Sequence, residues 1–243
     1  MVKLTINGRV FQAQPCDTVL AVAQKAGINI PTLCHSEAVH DYGACRICLV
    51  EVERRGRKRL VTACLYPVEE GLSVTTDSER VTKVRQIVIE LLLARTPTSE
   101  EILALAERYD VTESRFSDME GNNGDKCILC GLCTRVCSDV VGVNAISLVN
   151  RGTKREVALP FYDDETACIA CGSCAYICPT SAITLTDSAD CRTITWPNSK
   201  ADFPMKECSS CGTHYAPVKQ LQYMAEKAHL SISEFDYCPD CRH

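Results

Sequence analysis

Apolar and polar residues alternate with a period of two at the start of the chain, which is the pattern of strands half-buried in a sheet. The alternation runs from Val2 to Ile6, stops at Asn7-Gly8 and resumes at Val10. Asparagine followed by glycine between two such runs is a strong hairpin signal. The chain is therefore predicted to begin with a β-hairpin.

A helical segment and further strand-like runs complete this first region. Asp17 is placed to cap a helix over residues 18–26. Apolar runs predict additional strands at three places: 49–53, 60–63 and 72–75. Together these elements predict a β-grasp domain over residues 1–76, in which a small sheet folds over one helix.

The period changes to that of a helix in residues 77–124. After Asp77 or Ser78, either of which can cap a helix, apolar residues recur at helical spacing: Val81, Val84, Ile87, Val88, Leu91 and Leu92. Thr98 and Glu101 match a capping box, which predicts a second helix through Tyr109. We expect a helical linker whose apolar residues form packed core.

Cysteine content changes this picture most, because 18 of the 243 residues are cysteine. Sixteen of them fall into four groups of four, and only Cys16 and Cys191 stand outside the groups. The start of the chain lacks the apolar stretch of a secretory signal, and no apolar run is long enough to span a bilayer. We therefore expect a cytoplasmic protein, whose reduced, grouped cysteines bind metal before they form disulfides.

The first group of cysteines falls on the predicted loops of the first region: Cys34, Cys45, Cys48 and Cys64. A [2Fe–2S] cluster needs four thiolates, two for each iron, and it tolerates a long loop before the Cys-x2-Cys pair. A zinc site and unrelated free thiols are the alternatives. His35 either tunes such a cluster through a hydrogen bond or is an exposed loop residue.

The most specific motif is a run of four cysteines that occurs twice, with the second run 41 residues after the first. Each run has the spacing Cys-x2-Cys-x2-Cys-x3-Cys, and Pro179 follows the second. In two-cluster ferredoxins the fourth cysteine of each run binds the other [4Fe–4S] cluster, and structural zinc is the alternative. The predicted sets are Cys127, Cys130, Cys133 and Cys178, then Cys137, Cys168, Cys171 and Cys174. A bacterial 2[4Fe–4S] ferredoxin domain is thus predicted over 125–190.

The last group forms two knuckles, made by Cys208 with Cys211 and by Cys238 with Cys241. Such knuckles are typical of zinc ribbons and rubredoxin-like sites, in which four thiolates supply folding energy to a small module. Zinc is the preferred ion, and a third [4Fe–4S] cluster or a single iron are the alternatives. A four-cysteine, zinc-ribbon-like module is predicted over 191–243, with Trp196 packing it. The predicted fold class is therefore α+β.

Charge and the missing motifs exclude several functions. The formal net charge of −5 offers no basic domain for nucleic acid. The single basic run, at 54–59, is either a solvated hairpin tip or a patch that steers an acidic partner. Glycine-rich dinucleotide or phosphate-binding motifs are absent, so neither nicotinamide chemistry nor a catalytic residue is expected on this chain.

The first cysteine group, within Ile30–His35, Ala44–Glu51 and Thr62–Cys64, resembles the first domain of the large iron–sulfur subunit of respiratory complex I. Residues 1–186 as a whole resemble the small diaphorase subunit of NAD(P)-linked nickel–iron hydrogenases, including electron-bifurcating ones. They equally resemble the relay region of iron-only bifurcating hydrogenases and of NAD-dependent formate dehydrogenases. Two features depart from these families: a histidine-ligated cluster segment is missing, and a four-cysteine tail is added.

This resemblance implies an electron-relay subunit with one [2Fe–2S] and two [4Fe–4S] clusters. It implies a flavin- and NAD(P)-binding subunit, a small [2Fe–2S] subunit and a catalytic hydrogenase or dehydrogenase subunit as partners. Soluble ferredoxin is a further partner if the complex bifurcates electrons. The same role in a formate dehydrogenase or another reductase is one alternative. A cluster-bearing assembly or redox-sensing protein is the alternative from another class.

Overall fold

The computed structural model describes residues 1–116, 126–160 and 167–242. They divide into two compact units, one made of 1–116 with 126–131 and the other of 132–160 with 167–242. Each unit is treated by itself below. Among the described residues, no helix is both long and apolar enough to cross a membrane. The predicted four-domain division, at 76, 124 and 190, stays a prediction.

A five-stranded sheet forms the centre of the first unit. Its strands are β1 (Val2–Ile6), β2 (Arg9–Ala13), β3 (Leu49–Arg54), β4 (Arg57–Thr62) and β5 (Leu72–Thr75). The order is β2-β1-β5-β3-β4, and only β1 and β5 are parallel. Asn7 and Gly8 have φ of 50° and 78°, so they form the tight hairpin turn that the sequence predicts.

Helix α1 (Val19–Lys25) shares the buried core of this sheet and completes the β-grasp. The cap of α1 differs from the prediction. Thr18 Oγ1 accepts the Ala21 N–H at 3.2 Å, whereas Asp17 accepts the Gln14 N–H at 3.1 Å. Asp17 therefore closes the turn before the helix, and Thr18 caps it.

Two further helices follow the sheet, α2 (Glu79–Arg95) and α3 (Glu100–Arg108). Ser78 caps α2 as predicted, and its Oγ accepts the Val81 N–H at 3.3 Å. The capping box predicted for α3 is wrong, because Ser99 is the N-cap residue and its side chain makes no capping bond.

The buried face of α2 also differs from the prediction. Ile87 and Leu91 were expected in the core, but they are 39% and 37% exposed. The buried residues of α2 include an arginine and are Val81, Arg85, Ile89, Glu90, Leu92 and Ala94. Helix α2 is therefore rotated relative to the predicted apolar stripe, and its buried face carries the cationic side chain of Arg85.

The second unit begins with two short helices and a two-stranded sheet. Helix α4 (Leu132–Arg135) continues into a π-helical turn (Val136–Val141), and α5 (Ser173–Tyr176) comes later in the chain. Between them lie β6 (Ser147–Val149) and β7 (Glu156–Ala158), which pair antiparallel.

An antiparallel sheet of four strands follows, in the order β11-β10-β9-β8. Its strands are β8 (Thr184–Asp187), β9 (Cys191–Trp196), β10 (Ser199–Glu207) and β11 (His214–Pro217). Helix α6 (Val218–Ala228) comes after β11. One sheet thus joins residues on both sides of the boundary predicted at 190.

Candidate metal centres

The first cysteine group is buried in the first unit, where all four side chains belong to residues at most 6% exposed. The four thiols form two pairs. The sulfurs of Cys48 and Cys64 lie 3.5 Å apart, and a side-chain hydrogen bond joins Cys34 and Cys45. The Cys45 N–H also donates to Cys34 Sγ at 3.5 Å. Two pairs of thiols match the need of a [2Fe–2S] cluster for two sulfur ligands on each iron.

Shared hydrogen bonds make these thiols unequal as acids. The bond with Cys64 lowers the pKa of Cys48 to about 7, and the same bond, together with burial, raises the pKa of Cys64. A hydrogen bond with Cys34, and then burial, raises the pKa of Cys45. Four thiolates in this position need cationic iron to compensate their charge, which the assigned cluster would supply.

Arg85 supports the loop that carries the Cys-x2-Cys pair. Its side chain is fully buried, and it donates from Nε to Ile47 O at 3.0 Å and from Nη2 to Leu49 O at 2.7 Å. Nη1 donates to Tyr109 Oη at 2.9 Å and lies 3.4 Å from Asp77 Oδ1. Because a buried charge is costly without such partners, this network specifies the position of the loop relative to α2.

Sequence reasoning did not single out Arg85. The available signal was its place in the series Val81, Arg85, Ile89, which has the spacing of a helix face. A cation inside such a face is unusual and points to acceptors across the packing surface.

His35 is not an exposed loop residue, since its side chain is 18% exposed. Its Nδ1 lies 2.7 Å from Asp41 Oδ1. Of the two readings of this histidine, the exposed one is wrong, and a role in tuning the neighbouring cluster stays a prediction.

The predicted ligands of the second [4Fe–4S] cluster line one cavity of the second unit: Cys137, Cys168, Cys171 and Cys174. Backbone N–H groups point at two of the sulfurs. Ala145 donates to Cys137 Sγ at 3.2 Å, and Ala170 donates to Cys168 Sγ at 3.4 Å. Such donors stabilise negative charge on sulfur, so the cavity has the chemistry of a cluster site.

Burial, in contrast to these N–H donors, destabilises the thiolate form of cysteines in this cavity. It raises the pKa of Cys168 to about 11 and the pKa of Cys174 to about 12. Buried thiolates are therefore unfavourable here unless a cation accompanies them, which fits a site built for a metal cluster.

The duplication seen in the sequence is also present in the backbone. Leu129 and Ala170, at equivalent places in the two runs, have φ of 52° and 57°. Gly131 and Gly172 are equivalent too, with φ of 70° and 78°. The positive φ favours glycine at position 172, and a Cβ there would lie 2.6 Å from Leu185 Cδ1, so the Leu185 side chain would have to shift.

The ligands predicted for the first [4Fe–4S] cluster come from both units. Cys127 and Cys130 are buried in the first unit, and Arg95 Nε donates to Cys127 O at 3.3 Å. In the second unit Cys133 is buried, and Cys178 Sγ accepts the Ala182 N–H at 3.3 Å. The assignment of these four cysteines to one cluster stays a prediction.

The last cysteine group is the most compact. The sulfurs of Cys208, Cys211, Cys238 and Cys241 all lie within 4.8 Å of one another, and the Cys211 and Cys238 sulfurs are 3.8 Å apart. Metal–sulfur bonds of about 2.3 Å in a tetrahedron place the sulfurs about 3.8 Å apart. The N–H groups of Cys211 and Cys238 lower the pKa of Cys208 to about 6, which favours a thiolate ligand.

Two family models match the chain in the regions that these sites occupy. Residues 1–79 match a 2Fe-2S iron-sulfur cluster binding domain, and residues 126–182 match a 4Fe-4S dicluster domain. The chain is an iron–sulfur protein. The prediction of one [2Fe–2S] domain and one two-cluster ferredoxin domain is thereby confirmed.

Curated relatives are subunits of NAD(P)-linked oxidoreductases. The chain is 34% identical to NADPH-Fe(3+) oxidoreductase subunit alpha of Geobacter sulfurreducens, over 75% of this chain and 24% of that protein. It is 35% identical to NADP-reducing hydrogenase subunit HndD of Solidesulfovibrio fructosivorans, over 75% of this chain and 36% of that protein. This iron–sulfur protein thus spans about a quarter to a third of the length of the curated relatives it matches.

A solved structure matches over a longer part of both chains. A chain from the crystal structure of NAD⁺-reducing [NiFe]-hydrogenase in the H2-reduced state is 25% identical, with a TM-score of 0.63. The match covers 95% of the iron–sulfur protein and 99% of that chain. The predicted resemblance to hydrogenase and complex I iron–sulfur subunits is therefore confirmed.

Proposed function

We propose that the protein is the electron-transfer subunit of a multisubunit NAD(P)-linked hydrogenase. It would carry electrons between a flavin- and NAD(P)-binding subunit and the catalytic subunit. The observation that carries this proposal is the match to a chain of an NAD⁺-reducing [NiFe]-hydrogenase over almost the full length of both chains. Curated relatives instead align with this chain over only part of their own length.

The residues proposed to hold the clusters are the cysteines of the first three groups, most of which are buried. Cys34 with Cys45 would bind one iron of the [2Fe–2S] cluster, and Cys48 with Cys64 would bind the other. The two [4Fe–4S] clusters would be held by the two sets of four assigned above. When bound, such clusters supply one-electron transfer at potentials that the protein environment sets. The chain contributes thiolates, exclusion of water and N–H donors to sulfur.

We propose zinc for the site of Cys208, Cys211, Cys238 and Cys241. A separation of at most 4.8 Å among the four sulfurs supports a single tetrahedral ion. In a [4Fe–4S] site the iron and sulfide core stands between the cysteine sulfurs and keeps them farther apart. Iron as a single ion would fit the same geometry, and metal analysis distinguishes the two.

The proposed partners follow from the same match. They are a flavin- and NAD(P)-binding subunit, a small [2Fe–2S] subunit and the hydrogenase catalytic subunits, with soluble ferredoxin as a further partner in a bifurcating complex. We place the complex in the cytoplasm, where the many thiols of this chain stay reduced.

The test begins with metal and sulfide analysis of the anaerobically purified chain. We expect about ten irons, two for the [2Fe–2S] cluster and eight for the two [4Fe–4S] clusters, together with about one zinc. The chain is then purified through a tag from its native host. Recovery with flavoprotein and hydrogenase subunits, and reduction of its clusters by both H2 and NAD(P)H, would support the proposal. Recovery of a lone chain that neither donor reduces would contradict it.

A relay in an NADPH-linked reductase without hydrogenase is the second candidate. The identity of 34% to the Geobacter sulfurreducens NADPH-Fe(3+) oxidoreductase subunit alpha favours it. In that case NADPH, and not H2, reduces the clusters of the native complex. Reduction by H2 therefore distinguishes the two candidates in the same experiment.

A further inference from the structure

Strand β9 turns one face toward the loop and cavity of the second ligand set. Alternate residues of a strand share a face, and here they are Arg192, Ile194 and Trp196. Arg192 Nη1 donates to Ala170 O at 3.1 Å, within the Cys-x2-Cys loop. Ile194 and Trp196 line the cavity itself, together with the four cysteines. One strand therefore holds the loop and closes the cavity.

Trp196 brings an unused donor to this cavity. The residue is 2% exposed, and its Nε1 has no hydrogen-bond partner among the residues that the structure describes. A buried indole N–H normally donates a hydrogen bond, since leaving it unpaired is unfavourable. Sequence reasoning expected this residue only to pack the C-terminal module, and it missed the orientation of the side chain.

The cavity that Trp196 lines is also lined by the predicted ligands of the second cluster, Cys174 among them. The buried, unpaired N–H therefore belongs to the same cavity as the ligand cysteines. An apolar strand face would have sufficed to close the cavity, so the placement of a buried donor in its lining needs its own explanation.

We propose that Trp196 is a positioning residue of the second [4Fe–4S] site, whose indole N–H donates to a sulfur of the cluster or of its cysteine ligands in the cluster-bound protein. The proposal rests on the cluster assignment made under the proposed function, and it is independent of which enzyme the subunit serves. Donors to cluster sulfur stabilise the more negative, reduced state and therefore raise the reduction potential. Trp196 is thus assigned the tuning of one cluster of the relay.

The test uses the fact that Trp196 is the only tryptophan in the chain. Growth on tryptophan labelled with ¹⁵N in the indole ring places the label at this position alone. The full chain is then reduced, and pulsed electron paramagnetic resonance measures hyperfine coupling between the label and the reduced cluster. We expect a resolved ¹⁵N coupling. Its absence in a sample whose second cluster is reduced would overturn the proposal.

Trp196→Phe is the matched variant, because it keeps an aromatic ring and removes the N–H. We expect unchanged iron content and a shift of one [4Fe–4S] potential to a more negative value, with the other clusters unaffected. An unchanged potential would overturn the proposal, since packing alone would then explain the residue.

If Trp196→Phe fails to retain iron, replacement of all tryptophan by benzothienylalanine keeps the bicyclic shape and exchanges the N–H for sulfur. The same negative shift is expected, and its absence again contradicts the proposal. Failure of the proposed function would give a different experimental result from failure of the proposal for Trp196. Loss of hydrogenase partners leaves the coupling intact, whereas absence of four irons from wild-type protein removes the cluster assignment itself.

Discussion

The first and last cysteine groups each contain four thiols, but the buried apolar clusters beside them differ greatly in size. Around the first group, strands β1, β3 and β5 and helix α1 share a continuous core with Leu4, Val50 and Leu72 fully buried. Around the last group the core consists of Leu221, Ala225 and Phe235. Burial of apolar surface is the main favourable term in folding, so we expect the domain around the first site to stay folded without metal.

The buried apolar cluster beside the last cysteine group is much smaller than the one around the first group. The buried cluster of Leu221, Ala225 and Phe235 is small, and a closed thiolate site supplies folding energy directly. The geometry agrees with this difference, since the first group forms two pairs and the last forms one compact tetrahedron. The two sites therefore have the same number of cysteines, and they differ in the amount of apolar core beside them.

The largest expected effect tests this comparison directly. Cys208→Ser should abolish metal binding at the last site and remove most hydrogen-exchange protection from β11 and α6. The reason is that structural zinc contributes about 10–16 kcal/mol to the folding of such modules. Hydrogen-exchange mass spectrometry of the full chain, with zinc analysis, measures both.

Cys48→Ser is the matched change in the first site. It should remove the [2Fe–2S] cluster while β1 and β5 keep their protection, because most of the buried residues in their core are apolar side chains other than the cysteines. Equal loss of protection in the two variants would break the comparison.

The second prediction concerns how protein groups support the first site. Arg85→Met should destabilise the first unit by about 3–5 kcal/mol, because it leaves the carbonyls of Ile47 and Leu49 without their donor inside the protein. The denaturant midpoint, followed by the visible absorbance of the [2Fe–2S] cluster, measures the effect.

Arg85→Lys provides the control for charge, since it keeps a cation but not the several donors of a guanidinium. We expect it to recover only part of the lost stability. A lysine variant as stable as wild type would show that charge, and not the hydrogen-bond network, holds the loop.

The third prediction concerns the loop of the second [4Fe–4S] site. Gly172→Ala should cost at least about 1–2 kcal/mol, because φ is 78° and the new Cβ would meet Leu185 at 2.6 Å. Gly152→Ala is the control, with φ of 61° and nothing within 4 Å of the new Cβ. Thermal unfolding of both variants separates backbone strain from the clash. If the two variants lose the same stability, the close approach to Leu185 has no energetic role.

The smallest effect is expected from an ion pair at the edge of the first unit. Arg115 donates to Glu90 at 2.7 Å and lowers the pKa of that carboxyl. A depressed carboxyl pKa stabilises the fold above the unfolded value, and this contribution disappears as the pH falls through the folded pKa. Arg115→Ala should therefore reduce stability slightly near pH 7 and have no effect at pH values below both pKa values.

Chemical unfolding of wild type and variant across that pH range measures the difference. Lys83→Ala, which breaks the exposed Glu79–Lys83 pair, is the control and should change stability less, because solvent screens both partners. A difference for Arg115→Ala that stays constant with pH would mean that the carboxyl of Glu90 is not involved.

Patterns confined to neighbouring residues predicted this molecule well. The hairpin at Asn7-Gly8 and strand β5 at 72–75 lie where period and turn residues placed them. The cysteine runs were equally informative, because ligands that wrap one cluster must be close along the chain. The sequence predictions were wrong at the caps of α1 and α3 and at the buried face of α2. A rotation of the helix by one residue changes which face is buried, and that rotation depends on the element packed against it.

Cysteine spacing and apolar periodicity along the chain were enough to identify a [2Fe–2S] domain, a [4Fe–4S] dicluster domain and a separate four-thiol site. Tertiary structure alone decided that Arg85 reaches Ile47, 38 residues away, and that Trp196 lines the cavity of the second ligand set. Those two relations arise from the packing of a helix on a loop and of a strand on a cavity. Such contacts between distant segments leave no period in the sequence, since they depend on which face of each element is buried.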